Sequence, residues 1–115
     1  MNDDVFLHNP SCSKSRAALE LMRESGAALP VREYLKDPLT VEELRRIVQL
    51  LGVRPIDIAR RGEPQFAALG LTDTTADDDV LRAMAEHPIL VERPIVVRGG
   101  RAVVGRPPEK VREVL

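Results

Sequence analysis

Val5-Phe6-Leu7-His8-Asn9-Pro10-Ser11-Cys12-Ser13-Lys14-Ser15-Arg16 begins as an apolar run, breaks at an Asn-Pro-Ser loop, and ends in what reads as a helix. The chain's single cysteine stands at the junction. Val5-Phe6-Leu7 predicts a short strand, and Asn9-Pro10-Ser11 ends it. From Ser13 to Ser25 the residues Ala17, Ala18, Leu19, Leu21 and Met22 recur at near-helical spacing, and Gly26 supplies a C-terminal stop. Pro30 to Leu35, with Val31, Tyr34 and Leu35, is short enough for a second strand. Strand, helix and strand in that order predict a parallel, right-handed βαβ unit.

Downstream of this unit the pattern is helical. Thr40-Val41-Glu42-Glu43 is a capping box, in which the Thr hydroxyl and the Glu carboxylate satisfy each other's free backbone N–H groups. Leu44, Ile47, Val48 and Leu51 then mark one apolar face, and Gly52 ends it. Pro55 predicts a short helix through Arg60, and Pro64 another through Leu69, stopped by Gly70. Thr75 or a neighbour is expected to cap a further helix to about Glu86, with Val80, Leu81 and Met84 inward and Asp77 to Asp79 favourably placed in its first turn. After Pro88 the composition changes. Ile95-Val96-Val97 and Ala102-Val103-Val104 flank Gly99-Gly100, a β-hairpin signal, and Pro107-Pro108 starts a closing helix with Val111, Val114 and Leu115. The order βαβ, helices, ββα predicts an α/β, thioredoxin-like fold: one domain over 1–115, a small mixed sheet flanked by helices, and a helical insertion at about 39–88.

Composition narrows the function classes. The chain is 43% hydrophobic and only 3% aromatic, with no Trp, so its core is aliphatic and it lacks the stacking platforms of single-stranded nucleic-acid binders. A net charge of −1 gives no field to attract nucleic acid or a membrane surface. No apolar run approaches the ~20 residues that span a bilayer, and Met1-Asn2-Asp3-Asp4 is acidic where a signal peptide is basic. The expectation is a cytoplasmic protein with neither nucleic-acid nor membrane partners.

One cysteine forms no internal disulfide. In a reducing compartment it is either a small buried hydrophobe or a reactive thiol. A thiol at a helix N-terminus faces free N–H groups and the positive end of the dipole, which favour the nucleophilic thiolate. His8, Lys14 and Arg16 are close in sequence, and His8 reads as a group that tunes Cys12. Ser15 occupies the place where a dithiol oxidoreductase carries its resolving cysteine. Two histidines and one cysteine without paired-ligand spacing give no metal site. His87, before Pro88 at a helix end, reads as a C-terminal cap or core residue.

His8-Asn9-Pro10-Ser11-Cys12 with Ser15-Arg16 resembles the active-site loop of the glutaredoxin-coupled arsenate reductases. The resemblance continues through Arg60 ahead of Glu63-Pro64, through Leu69-Gly70-Leu71 and His87-Pro88-Ile89-Leu90, and through Arg93-Pro94-Ile95-Val96-Val97 and Arg106-Pro107. It implies a thioredoxin-like fold, Cys12 as nucleophile, and Arg60, Arg93 and Arg106 as the residues that bind the oxyanion. Arsenate is a tetrahedral dianion, and a guanidinium offers a planar fork of donors with permanent charge. Arg61 beside Arg60 leaves the assignment there open by one position. The resemblance also makes Pro94 cis, packed against the nucleophile loop, whereas the residue by itself equally suits a trans proline at a strand's first position. The chain stops soon after Arg106-Pro107-Pro108, where longer members carry a further segment.

The implied activity is reduction of arsenate to arsenite through a Cys12–arsenic adduct, with glutathione as co-substrate, glutaredoxin as partner and no bound cofactor. Two other classes use the same residues differently. Another glutathione-dependent thiol-disulfide oxidoreductase would need Cys12 but not three arginines. A thioredoxin-like regulatory module would grip a protein through its helical surface.

Overall fold

In a computed structural model that describes residues 3–115, the first strand, β1 (Val5–His8), is flanked on both sides. β2 (Val31–Glu33) runs parallel to it, with Phe6 opposite Val31. β3 (Ile95–Arg98) runs antiparallel, with Phe6 opposite Val96, and β4 (Arg101–Val104) completes the order β2-β1-β3-β4. This is the mixed sheet that the βαβ and ββ patterns require. Because side chains alternate across a strand, Phe6, Val96 and Val103 share one face while Leu7, Ile95 and Val97 share the other, and all six are buried.

α1 (Ser13–Ser25) lies over the first of these faces. Its buried residues Ser15, Ala18, Leu19 and Met22 fall at the i, i+3, i+4, i+7 spacing that makes a single helical stripe. Ala18, Leu19 and Met22 pack with Phe6, Val96, Val103 and Val111 into one cluster. Full burial of each large member contributes about 1.5–3 kcal/mol, an upper figure because the unfolded chain already hides some of that surface. Gly26 ends the helix in the left-handed conformation, φ 82°.

The chain divides into two compact units: Met1–Asp37 with Arg93–Leu115, which holds the sheet, and Pro38–Glu92, which is helical. The helical unit contains α2 (Val41–Leu51), α3 (Pro64–Ala68) and α4 (Asp77–Glu86), with 3-10 turns at Pro55–Ile58 and Pro88–Leu90. The capping box at Thr40 and Glu43 is closed in both directions, at 3.1 and 3.0 Å. Within this unit Arg45 pairs with Asp78 and Arg54 with Asp77. A single bridge, Ala59 to Val91, ties the chain after the first 3-10 turn to the chain after the second.

Several boundaries differ from the sequence reading. β2 stops at Glu33 because the N–H groups of Lys36 and Asp37 both turn back to the Glu33 carbonyl. The N-cap of α4 is Thr75's neighbour Ala76, which closes no side-chain bond, and the Thr75 hydroxyl accepts the Thr72 N–H. The closing segment, Pro108–Glu113, is a 3-10 helix, with Val111 alone fully buried.

Gly99 and Gly100 form the hairpin tip with φ of 60° and 75°, the pair of positive values that a tight two-residue turn demands and only glycine adopts freely. Pairing of Arg98 with Arg101 and of Ile95 with Val104 sets the register. Continued by one and two residues, it sets Pro94 opposite Gly105 and Arg93 opposite Arg106. The Gly105 N–H donates to the Pro94 carbonyl at 2.9 Å, so the ladder does extend past the strands.

Candidate active site

Cys12 is the residue at which β1's loop becomes α1: its own backbone is extended (φ −97°, ψ 122°), while its carbonyl already accepts the Arg16 N–H at 3.0 Å. The loop before it is tied down from three directions. The Asn9 carbonyl accepts the Cys12 N–H at 3.0 Å, the Asn9 side-chain oxygen accepts the Ser11 N–H at 3.0 Å, and the Arg16 guanidinium donates to the Pro10 carbonyl at 2.8 Å. Beneath the loop, His8, Asn9 and Ser15 are buried together. Ser15 Oγ lies 2.7 Å from His8 Nδ1 and accepts the Asn9 N–H at 3.0 Å. The His8 ring tilts against Phe6, 5.7 Å between centroids, which joins this polar knot to the apolar cluster.

The electrostatics favour a thiolate. Partial burial pushes the Cys12 thiol up, but the backbone N–H groups of Ser15 and Lys14 and the Arg93 guanidinium outweigh it, so the thiol ionises more readily than its ordinary value of 9.0. The sulfur closes no capping hydrogen bond, so the helix-start N–H groups act on it as directed dipoles. His8 moves the opposite way in charge. Burial lowers it below 6.5, Glu33 pulls it back, and Arg23 and Arg16 add to the lowering, so its neutral ring is the favoured form at neutral pH. In the neutral tautomer with its proton on Nε2, Nδ1 accepts the Ser15 hydroxyl proton, which leaves the Ser15 oxygen free to accept from Asn9.

Of the three arginines singled out in the sequence, Arg93 reaches Cys12. Arg106 lies beside it: its guanidinium is 3.5 Å from the Arg93 carbonyl. Both precede prolines in cis linkage, Arg93–Pro94 and Arg106–Pro107. Arg60 belongs to the helical unit, where it pairs with Glu63 at 2.6 Å and donates weakly to the Ile89 carbonyl at 3.4 Å. Its neighbour Arg61 is half-exposed, pairs with Asp73 and stands 5.6 Å from the Phe66 ring centre. His87 holds the C-cap position of α4, its N–H donating to the Ala83 carbonyl at 2.8 Å. Among the described residues no group of His, Cys, Asp and Glu is arranged to hold a metal ion, and no helix is long and apolar enough to cross a membrane.

Two contributors were missed in the sequence. Asn9 reads there as a strand breaker and a member of the loop motif with no role of its own, although Asn directly before Pro and a helix start is also the signal for a turn closed by its side chain. Gly105 drew no notice, yet a Cβ built on it would lie 2.8 Å from Pro94 and 2.9 Å from Val111. Glycine there lets the segment carrying Arg106 approach the one carrying Arg93.

A family model described as the ArsC family matches residues 7–114. An arsenate reductase of Neisseria meningitidis is 46% identical over 117 aligned positions, covering all of both chains. One from Escherichia coli is 36% identical, covering all of this chain and 82% of the relative. A solved structure of an arsenate reductase from Vibrio cholerae matches with a TM-score of 0.92 and 46% identity over 97% of each chain. With a family match across nearly its full length and relatives this similar, the chain belongs to the ArsC family.

Proposed function

We propose that the protein reduces arsenate to arsenite, with Cys12 as the nucleophile and glutathione and glutaredoxin as the source of electrons. The observation that carries the reading is the placement of Cys12: a partly exposed thiol at the mouth of α1, under the influence of two helix-start N–H groups and the Arg93 guanidinium. The full-length similarity to arsenate reductases supports arsenate as the substrate.

In this scheme Arg93 and Arg106 hold the arsenate oxyanion, and the family resemblance adds Arg60. The Cys12 thiolate attacks arsenic; a sulfur–arsenic bond forms and one arsenic–oxygen bond breaks, its oxygen leaving as water after protonation. The thiolate of glutathione then attacks the Cys12 sulfur. A disulfide bond forms, the sulfur–arsenic bond breaks, and its electron pair stays on arsenic, taking As(V) to As(III), which leaves as arsenite. Two thiols are oxidised to one disulfide, which balances the two-electron reduction. Cys12 is the only thiol in the chain and Ser15 stands where a resolving cysteine would be, so the resolving thiol comes from outside. Glutaredoxin with a second glutathione returns Cys12 to the thiol. His8 and the Ser15 hydroxyl hold the loop from beneath, while the Ser15 N–H favours the Cys12 thiolate.

Arsenite formation by the purified protein tests the reading. Turnover is expected with glutathione, glutaredoxin and a glutathione-regenerating system, to vanish in Cys12→Ser, and to be poor with thioredoxin and its reductase alone. Protein quenched during turnover is expected to carry one glutathione on Cys12 by mass spectrometry. Efficient turnover on thioredoxin alone would overturn the glutathione route, and failure with every donor would overturn arsenate as the substrate.

A further inference from the structure

Ser15, Arg16 and Asn9 all bond to the nucleophile loop, but only Asn9 does so through backbone N–H, backbone C=O and side chain together. Its N–H donates to Ser15 Oγ, its carbonyl accepts from Cys12, and its side-chain oxygen accepts from Ser11, each at 3.0 Å. It is buried at 7% exposure, whereas Arg16, which clasps the loop from outside, is exposed. We propose that Asn9 is the positioning residue of the nucleophile: its side chain closes the turn that presents Cys12 to the first N–H groups of α1, and its backbone anchors that turn to the buried Ser15.

Four residues separate the end of β1 from the start of α1, and in that span the chain must reverse while leaving Cys12 extended and Ser13 helical. Pro10 has no N–H to give, so the Ser11 N–H is the first donor available to stabilise the turn. An Asn side chain one residue before the proline accepts it without help from the backbone, a local arrangement that Asn forms and Ala cannot. A slack turn lets the sulfur drift from the directed N–H groups, whose effect falls off within the first helical turn. The Asn amide is also neutral. The Arg93 guanidinium, from the segment before β3, favours the thiolate, Lys14 and Arg16 follow on α1, and no residue from Asn9 to Cys12 carries a negative side chain.

The inference rests on Cys12 being the nucleophile, but thiol alkylation, rather than arsenate turnover, reads it. Iodoacetamide reactivity of Cys12 against pH is compared in wild type, Asn9→Ala and Asn9→Ser, with melting curves alongside. For Asn9→Ala the rate at pH 6 is expected to fall about tenfold, the scale of one weakened hydrogen-bonding geometry at an ionised group. The rates should converge at pH 10, where every thiol is ionised. Asn9→Ser closes the same turn more weakly through its hydroxyl and is expected to recover part of the loss. A loss in Asn9→Ala that is equal at every pH, or a pH profile that matches wild type, would overturn the proposal. Should Asn9→Ala fail to fold, Asn9→Ser decides by the same criterion. The expected alkylation differences together with no arsenate turnover in wild type would refute the substrate, not the role of Asn9.

Discussion

Replacing Ser15 by Ala removes one oxygen and strands two buried groups. Ser15 has no exposed surface, and its hydroxyl lies 2.7 Å from His8 Nδ1 and 3.0 Å from the Asn9 N–H, both also buried. Each polar group left without a partner costs about 1–3 kcal/mol, and the better helix propensity of Ala returns roughly 0.5 kcal/mol. Partial relaxation of His8 reduces the sum, so Ser15→Ala is expected to lose about 1.5–4 kcal/mol, or roughly 6–15 °C of melting temperature for a chain of this size. Urea titration by circular dichroism measures it, with the slope required to stay constant so that the loss is read as stability alone. A double-mutant cycle apportions it. His8→Phe keeps the packing on Phe6 and removes the ring nitrogens, so the pair His8→Phe with Ser15→Ala is expected to cost less than the two single losses added, with a coupling of at least about 0.5 kcal/mol. A Ser15→Ala loss under about 0.5 kcal/mol would refute the buried network as a source of stability.

His8 should make the fold acid-sensitive. Its folded value lies below 6.5, chiefly from burial, so the unfolded chain takes up the proton first. The stability that its neutral form contributes is fully present above pH 6.5 and is lost as pH falls from there through the folded value. Melting temperature against pH is expected to drop in that window in wild type and to flatten in His8→Phe; parallel curves would count against it. Arg93→Lys is expected to lower arsenate kcat/KM about tenfold to a hundredfold, because an ammonium replaces a fork of charge-assisted bonds with a point charge. Kinetics equal to wild type would remove Arg93 from the oxyanion site. Gly105→Ala is expected to cost about 1–3 kcal/mol, the usual penalty of overpacking, since its Cβ would press on Pro94 and Val111. A denaturation midpoint unchanged from wild type would show that these neighbours yield freely.

How much of this was legible in the sequence depended on the range of the interaction. β1, α1, the capping box at Thr40 and the diglycine turn are encoded within a few residues each, and all four stand where their patterns put them. The thiol at the helix start was legible for the same reason. The end of β2 was not, because the Glu33 carbonyl is claimed by two N–H groups from a turn whose Tyr34-Leu35 still looks like strand. The closing segment carries helix-spaced valines, yet it is only six residues long and forms 3-10 geometry. That the Arg93 guanidinium acts on the thiol is a long-range fact, set by the sheet register. Gly105 was invisible for a similar reason: what makes it necessary is Val111 and Pro94, and Pro94 lies eleven residues away.

The hairpin that ends in Gly99 and Gly100 also divides the molecule into places that tolerate added chain and places that do not. Its arms hold Val96 and Val103 in the buried cluster, so strand pairing is fixed there, not at the exposed tip. An extra residue between Arg101 and Gly105 would turn every later side chain to the opposite face and send Arg106 away from Arg93. Extra residues at the tip would simply bulge outward, at the cost of the Gly99 N–H bond to Asp4. The tip stands roughly 20 Å of strand from Arg93 and Arg106, at about 3.3 Å per residue. It is therefore the natural handle for a peptide tag or a fluorophore, close enough to be rigid and too far to crowd the thiol. Iodoacetamide reactivity of Cys12 unchanged by such a graft, and altered by a one-residue insertion after Arg101, would bear this out.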